Sequence, residues 1–583
     1  MNFTLPSTLS IMVSAANWSE QLNYPEIELK WQALFRQIQT RLPESIKPQL
    51  ITGYREGIEQ LSVELAHQNQ FKIQLLLCQK FGQLTKLVKD ENRLKIDRIV
   101  SLGRGKDELM LLPSPQQTRD RLMLDYADIL LIAWRPDLNS EESKAGFELI
   151  SQAAQSLKPV IWLDPNGELH WLKLNQLDNA NLLILKAENQ TTERLLSYFK
   201  TFSSLEQTPF AATLSQLFLL EENPDPLKQS SINQLLGTEN SIRTQTSERS
   251  AKTGFWFQIK QKFDHFKNPM NLSPTNKEIQ AKTLLTDAFS FHNTQAEKAG
   301  DAYRYNVWML YGFAALAVIL AVSAEVWQLH WLAYFELIVI ATIIYRVYWA
   351  RKIQLHENWM RHRYIAEQLR YCIMGYPLMV VPDPFRAAQW QVKNNQLMLK
   401  SAEIWLIQRY LMASGLPCED GKIYTPPYHN HALVEHMQRV IDNQKTYHQR
   451  HHHQKHLGHH RLHRATEIFF VFTFIAVSIH LFVHDIWLLL FTAALPAVAA
   501  SLHGILTKLE MQRIASQSAQ LYQQLDESEK AFKRFIEGAK EGDDDWHQWL
   551  SLYALASSSE KIMSDNIKQW QHLIQKQSID IPV

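Results

Sequence analysis

Four long apolar runs, arranged as two close pairs, constrain this chain most. The first pair is Val307 to Val326, "VWMLYGFAALAVILAVSAEV", and Trp331 to Trp349, "WLAYFELIVIATIIYRVYW". The second is Glu467 to Val483, "EIFFVFTFIAVSIHLFV", and Ile486 to Leu506, "IWLLLFTAALPAVAASLHGIL". Each approaches the ~20 residues that carry a helix across a bilayer core. Helices apolar on all sides are either buried in a large protein or set in lipid, and tryptophans near the run ends favour lipid. The mean hydropathy of the whole chain, -0.25, hides these runs in a long polar remainder.

Basic residues orient the hairpins. The turns "WQLH" and "HDIW" carry neither Lys nor Arg. Around the other ends lie Arg304, Arg346, Arg351, Lys352, Arg361 and Arg363, then Lys455, Arg461, Arg464, Lys508 and Arg513. The positive-inside rule places both termini and residues 350–465 in the cytoplasm. Within the second run Glu336 is an intramembrane ionisable group, facing a partner helix or water, or sitting shallow beside the turn. Pro496 is expected to kink the fourth span.

The first 200 residues have another rhythm. Short apolar runs at 9–15, 48–53, 71–78, 96–103, 127–134, 159–164 and 181–187 alternate with amphipathic stretches such as "YREGIEQLSVELAHQNQ" and "ESKAGFELISQAAQSL". Alternating strand and helix predicts a doubly wound, Rossmann-like parallel sheet. Ligands of such folds sit at the carboxyl ends of the strands, near helix N-termini that favour anions. Three strand ends supply candidates for a nucleotide site: Gly53, Tyr54, Arg55, Gly57 and Glu59 in "ITGYREGIEQL", Trp134, Arg135 and Asp137 in "IAWRPD", and Gly146 in "SEESKAGFELI". Glycines placed after a strand can present backbone N–H groups to a phosphate, or can simply make a tight turn. Carboxylates in helix first turns, Glu56, Glu59 and Glu148 among them, act as acids or bases in some sites and as dipole partners in others.

The stretches "ITGYREGIEQLSVELA", "FKIQLLLCQ", "DYADILLIAWRPD" and "KPVIWLD" resemble the SLOG group of Rossmann-like sensors, akin to the LOG nucleotide hydrolases and DprA. That resemblance implies a nucleotide-sensing domain. The family pattern S-G-x-A-x-G-x-D is altered here, with Tyr54 and Arg55 in its middle and Glu59 near its Asp, and the second motif keeps a single glycine, Gly146. "NWMRHRYIAEQLR", "HHRLHRATEIFF", "LPAVAASLHGIL" and "IMSDNIKQWQHLIQKQSIDIPV", in order over roughly 300 to 583, resemble the SLATT membrane effectors. That likeness implies an oligomeric pore that depolarises a bacterial cell in antiphage defence or signalling.

The resulting organisation is a sensor domain at 1–204, a polar linker at 205–285 with the aromatic and basic run "GFWFQIKQKFDHFKNPM", and a helix with the first hairpin at 286–350. A helical cytoplasmic region follows at 351–465, then the second hairpin and C-terminal helices at 466–583. The fold class is an α/β Rossmann-like N-terminal domain joined to an all-α membrane domain with four transmembrane helices and long cytoplasmic helices. The expected partners are the lipid bilayer, further copies of the chain and a nucleotide-derived ligand. A net charge of +1 gives no electrostatic case for nucleic acid. Cys78, Cys372 and Cys418 form no C-x-x-C pair, which suits a reducing compartment. The N-terminus lacks the basic segment of a signal peptide, and the expected location is the bacterial inner membrane. No catalytic residue, metal or cofactor is assigned.

Eight of the 23 histidines fall in Tyr447 to Arg464, "YHQRHHHQKHLGHHRLHR". His448, His452, His456, His459 and His463 include His-x-x-x-His pairs, the spacing that puts two imidazoles on one helix face for a metal. Without converging acids nearby, the stretch reads first as a juxtamembrane basic helix. Two further functions remain open: a metal- or pH-responsive channel, and a membrane-anchored nucleotide hydrolase.

Overall fold

A computed structural model describes residues 8–16, 24–41, 47–78, 95–103, 115–135, 141–156, 158, 160–164, 167, 169–175, 184–188, 284–386, 390–393, 396–399, 402–418, 423–483, 485–538 and 545–574. Asp137 and the aromatic, basic run at 254–270 lie outside the described residues. By compactness the chain forms two units, each assembled from three stretches. One comprises Met1–Asp287, Gly375–Leu433 and Lys540–Tyr553, and the other Ala288–Met374, Val434–Ala539 and Ala554–Val583.

The first unit is built on a sheet. In chain order it has β1 (Thr8–Ala16), α1 (Tyr24–Arg41), β2 (Lys47–Thr52), α2 (Ile58–Gln68), β3 (Lys72–Leu77), β4 (Arg98–Ser101), α3 (Pro115–Asp125), β5 (Ile129–Trp134), α4 (Glu141–Gln155), β6 (Val160–Leu163), β7 (Leu169–Asn175) and β8 (Ile184–Glu188). Five of the six residues in each of β2, β3 and β5 are buried, as expected of parallel strands covered on both faces. The strand order reverses around β1, which pairs in parallel with β2 on one side and β5 on the other. That is the switch point at which doubly wound sheets open a crevice. All seven expected strands form. The structure adds β7, which with β8 extends the edge antiparallel to β6.

The chain leaves the sheet through α5 (Leu284–Val326), α6 (Leu332–Lys352) and α7 (Leu355–Gly375), and returns by a 3-10 turn at Tyr376–Leu378. The stretch "FRAAQWQVKNNQLMLKSAEIWLIQRYLMASGLP", which reads as one helix, is divided: α8 (Asp383–Arg386), antiparallel β9 (Trp390–Lys393) and β10 (Gln396–Leu399), then α9 (Ala402–Ser414). The Asn394-Asn395 pair between β9 and β10 is the hairpin signal that a helical reading overrides. Next, β11 (Ile423–Tyr424) joins the sheet in parallel beside β4, giving seven parallel strands.

Residues 375–433 are anchored to the sheet by buried polar groups. Gln49 donates to Ser10 Oγ at 3.1 Å, Gln74 to Gln49 Oε1 at 3.0 Å, and the Leu416 N–H to Gln74 Oε1 at 2.7 Å. Gly415, at φ +69, lets the backbone approach Gln74, where a Cβ would lie 2.3 Å from its Nε2. Arg98 of β4 donates to the carbonyls of Ser414 and Leu416, and Arg409 of α9 pairs with buried Asp128.

The second unit is helical. It continues with α10 (Asn430–His480), α11 (Ile486–Leu509), α12 (Met511–Gly538) and α13 (Asp545–Ile574). The four apolar windows lie in α5, in α6, in α10 and in α11, with only 11–22% of each window buried. Helices so apolar and so uncovered fit a membrane protein rather than the core of a soluble one. At 43 and 51 residues, α5 and α10 are about 65 and 77 Å long, so each runs well beyond a core of about 30 Å.

The two hairpins share a plan. A long helix turns into a span of 21 or 24 residues, α6 or α11, and a left-handed residue then starts a new helix. Those residues are Gln354 (φ 47) and Glu510 (φ 42), so the helices that follow the spans are new segments, not continuations. The turns lie together, since Trp327 and Trp487 meet edge to face at 5.4 Å. At the opposite end Tyr303, Val307, Ala350, Leu355 and Ile505 form one buried cluster. Gly504 permits close approach of α11 to α5, where a Cβ would stand 2.2 Å from the Tyr311 ring.

Candidate functional site

The loop after β2 and the start of α2 converge on the end of β1. Tyr54 takes a left-handed conformation (φ 60) and Gly57 another (φ 95). The α2 N-terminus receives no side-chain cap from Gly57. Glu59, fully buried, instead reaches back: its Oε2 accepts from the Arg55 N–H at 2.8 Å and its Oε1 from the Ala15 N–H at 3.1 Å. The carboxylate therefore occupies backbone donors that a phosphate would use. It closes the loop onto β1 and is not an exposed dipole partner.

Two arginines complete the cluster. Arg55 Nη1 donates to the Ala15 carbonyl at 2.6 Å, and its other Nη lies 3.7 Å from Asp120. Arg119 of α3, with a side chain only 3% exposed, binds Asp120 at 2.5 Å and lies 3.8 Å from Glu59. Its guanidinium rests on Gly53, where a Cβ would lie 2.1 Å from Nη1. Gly53 thus makes room for an arginine. Asp120 also accepts from Ser14 Oγ at 3.5 Å. Burial pushes the nearby Cys78 thiol up to about 12, and the two arginines lower it only in part, so it stays protonated at neutral pH.

The other candidates flank the same strand end. Ala16 of β1 is in register with Trp134 of β5, while Val13 is in register with Thr52 of β2. Trp134 packs against Phe147 and Trp162 at 6.2 and 5.9 Å, and Trp162 Nε1 donates to the Trp134 carbonyl at 2.7 Å. Its ring is committed to aromatic packing between β5, β6 and α4. Arg135 follows directly. Gly146 is buried in the second turn of α4 rather than in a phosphate-facing loop. The structure thus brings Gly53, Tyr54, Arg55, Gly57 and Glu59 to one side of β1 and Trp134 and Arg135 to the other.

Sequence reasoning missed Arg119, Asp120, Ser14 and Cys78. In "PQQTRDRLMLD" the charged residues look like the solvated face of a helix. Two arginines set against two carboxylates leave the cluster neutral as a whole. Arg55, with a side chain 30% exposed, is the cation an incoming anion can reach, and Arg119 is held inside.

In the helical unit the histidines of α10 divide by face. His448 and His451 are driven down to about 4 and about 3 by burial and neighbouring cations, so both are neutral at physiological pH. His451 Nδ1 lies 3.0 Å from Ser518 Oγ, and His452 Nδ1 lies 2.8 Å from the Ala515 carbonyl. His456 and His460 follow His452 in tilted ring contacts at 5.9 and 6.3 Å, while His459 contacts His463, whose Nδ1 is 3.3 Å from Glu467. Among the described residues no three His, Cys, Asp or Glu side chains come together to hold a metal ion. Glu336 is half-buried, one turn into α6, near the turn between the first two spans.

A family model described as "Protein of unknown function (DUF4231)" matches residues 289–382, from α5 through α6 and α7. No curated protein and no solved structure matches the chain.

Proposed function

We propose that this chain is a membrane sensor-effector of the bacterial inner membrane, with both termini cytoplasmic. In this reading a phosphate-bearing, nucleotide-derived ligand meets the part-exposed Arg55 guanidinium at the end of β1. Trp134 and Arg135 flank the same strand end. The ligand shifts the balance between two arrangements of the sheet unit, which requires different affinity for each. Several copies assemble their hairpins into a pore that the shift opens.

The observation that carries this reading is the anchoring of residues 375–433. The segment joining α7, which follows the first hairpin, to α10, which leads into the second, contributes β11 and α9 to the sheet unit. Its ties run from Arg98, Gln74 and Asp128 to Leu416 and Arg409. A rearrangement of the sheet is thereby applied to the chain ends of both hairpins. The resemblance of the sequence to sensor and effector families, and the match at 289–382, support the same pairing. Binding without turnover is favoured, because Glu59 is committed to two backbone donors and Cys78 to its protonated form.

The test is full-length protein in dye-loaded liposomes, challenged with ADP-ribose derivatives and cyclic oligonucleotides while products are followed. Ligand-dependent leakage without product supports the proposal. Product without leakage identifies a membrane-anchored hydrolase, and leakage governed by Zn²⁺ or pH alone identifies a metal- or pH-responsive channel.

A further inference from the structure

A cavity with charged side chains at its wall lies wholly within the helical unit. It has a volume of about 230 Å³ and gathers side chains from α5, α7, α10, α11, α12 and α13. Its cations are Arg304, Arg363, Lys455 and Lys508, and its acids are Glu297, Glu367 and Glu510.

The acids already have partners. Glu367, almost fully buried, is gripped by Arg363 at 2.5 Å and Arg370 at 2.6 Å. Glu510 lies 3.7 Å from Arg513, and Glu297 accepts from Asn293 at 2.9 Å. On the cationic side, Arg304 among the described residues pairs with exposed Asp301 and packs 6.0 Å from the Trp359 ring. Lys455 has no hydrogen bond or ion pair among the described residues, and burial beside Arg304 pulls its ammonium down to about 8. A half-buried ammonium next to a like charge, with Glu367 held by two arginines and Glu510 beside Arg513, is poised for an anion from outside.

We infer that this cavity binds a phosphate-bearing anion, held by Lys455 and Arg304, with Lys508 at its side. Arg304 precedes the first span by three residues and Lys508 follows the fourth by two. The site thus lies where basic pockets between membrane helices take phosphate headgroups. Its volume is below that of a drug-sized pocket, which suits a headgroup or a small free phosphate compound rather than a whole nucleotide. The "RHHHQKH" run gains a role, since its His451 and Lys455 line this cavity together with His448 just before it.

The experiment uses full-length protein in lipid nanodiscs, in two arms. In the first, discs of phosphatidylcholine alone are titrated with radiolabelled inorganic phosphate and pyrophosphate. In the second, discs carrying phosphatidylglycerol are examined by native mass spectrometry for retained lipid. Saturable binding in the first arm assigns a soluble phosphate compound, and retention in the second assigns a headgroup. In either, Lys455→Met and Arg304→Gln weaken binding about tenfold or more, while Lys455→Arg stays within about threefold of wild type. Circular dichroism and elution volume check that each variant is folded, and Arg304→Gln serves if Lys455→Met is not. Binding by both folded neutral variants equal to wild type, or no saturable binding in either arm, overturns the inference.

Discussion

Replacing Arg119 by Met tests the site where its construction is least negotiable. The substitution keeps most of the aliphatic volume beneath Gly53 and removes the guanidinium. Glu59, at 0% side-chain exposure, then keeps its two backbone donors but loses the nearest cation, and Asp120 loses its shortest ion pair. Removing one partner of a buried pair costs about 3–5 kcal/mol, because the remaining charge is left in low dielectric. Part of this is recovered if Arg55 swings inward, so about 3 kcal/mol is the working figure. A membrane protein with two units has no single unfolding free energy, so the assay must be local. Hydrogen–deuterium exchange of the full-length protein in nanodiscs provides it, through peptides covering β1 and β2. A loss of about 3 kcal/mol in local opening speeds exchange there about 100-fold. Peptides from α11 and α12 act as internal controls. Exchange in β1 and β2 within about threefold of wild type would refute the view that Arg119 organises this site.

Other expectations follow from the same physics. Gly53→Ala drives a Cβ into the Arg119 guanidinium and speeds exchange in the same peptides, and Gly57→Ala, at φ 95, carries a backbone penalty of about 1–3 kcal/mol. Gln74→Leu strands the Leu416 N–H and the Gln49 amide, which costs about 1–3 kcal/mol and shows as faster proteolysis of residues 410–424. Because Cys78 is pushed up to about 12, its alkylation rises about tenfold per pH unit from 8 to 10 and stays slower throughout than that of a free thiol. Mass spectrometry of iodoacetamide-treated protein reads this directly. Gly504→Leu forces α11 away from Tyr311 and speeds hydrogen exchange in α5 and α11 peptides around these residues, measured on full-length protein in nanodiscs.

The parts of this molecule that repeat or alternate were legible in its sequence. The apolar runs marked the span windows of α5, α6, α10 and α11, and period and length marked the strands from β1 to β6. What escaped were features that depend on distant partners. β7, "LHWLKLN", alternates apolar and polar residues and was open to a period-two reading. By contrast β11 is two residues long, and only its pairing to β4 makes it a strand. The site was half visible. Glycines after β2 pointed to the loop, but the charges that fill it come from α3, whose Arg119 and Asp120 have no local mark of burial. Gly53 after a strand suggests N–H groups for a phosphate or a tight turn, and the group that rests on it is a side chain 66 residues away. Likewise Lys455 stands inside a histidine-rich run that draws attention to metals, and its significance comes from sharing a cavity with Arg304.

The central claim is that occupancy of the sheet unit controls conduction through the spans. Planar bilayer recording from the full-length protein measures this directly, with the ADP-ribose and cyclic oligonucleotide panel added to each side in turn. The account predicts a conductance that appears only with ligand, only from the side bearing the sheet unit, and not in Arg55→Ala. Ligand-independent conductance of equal size in both proteins, or a silent bilayer with every ligand, would contradict it.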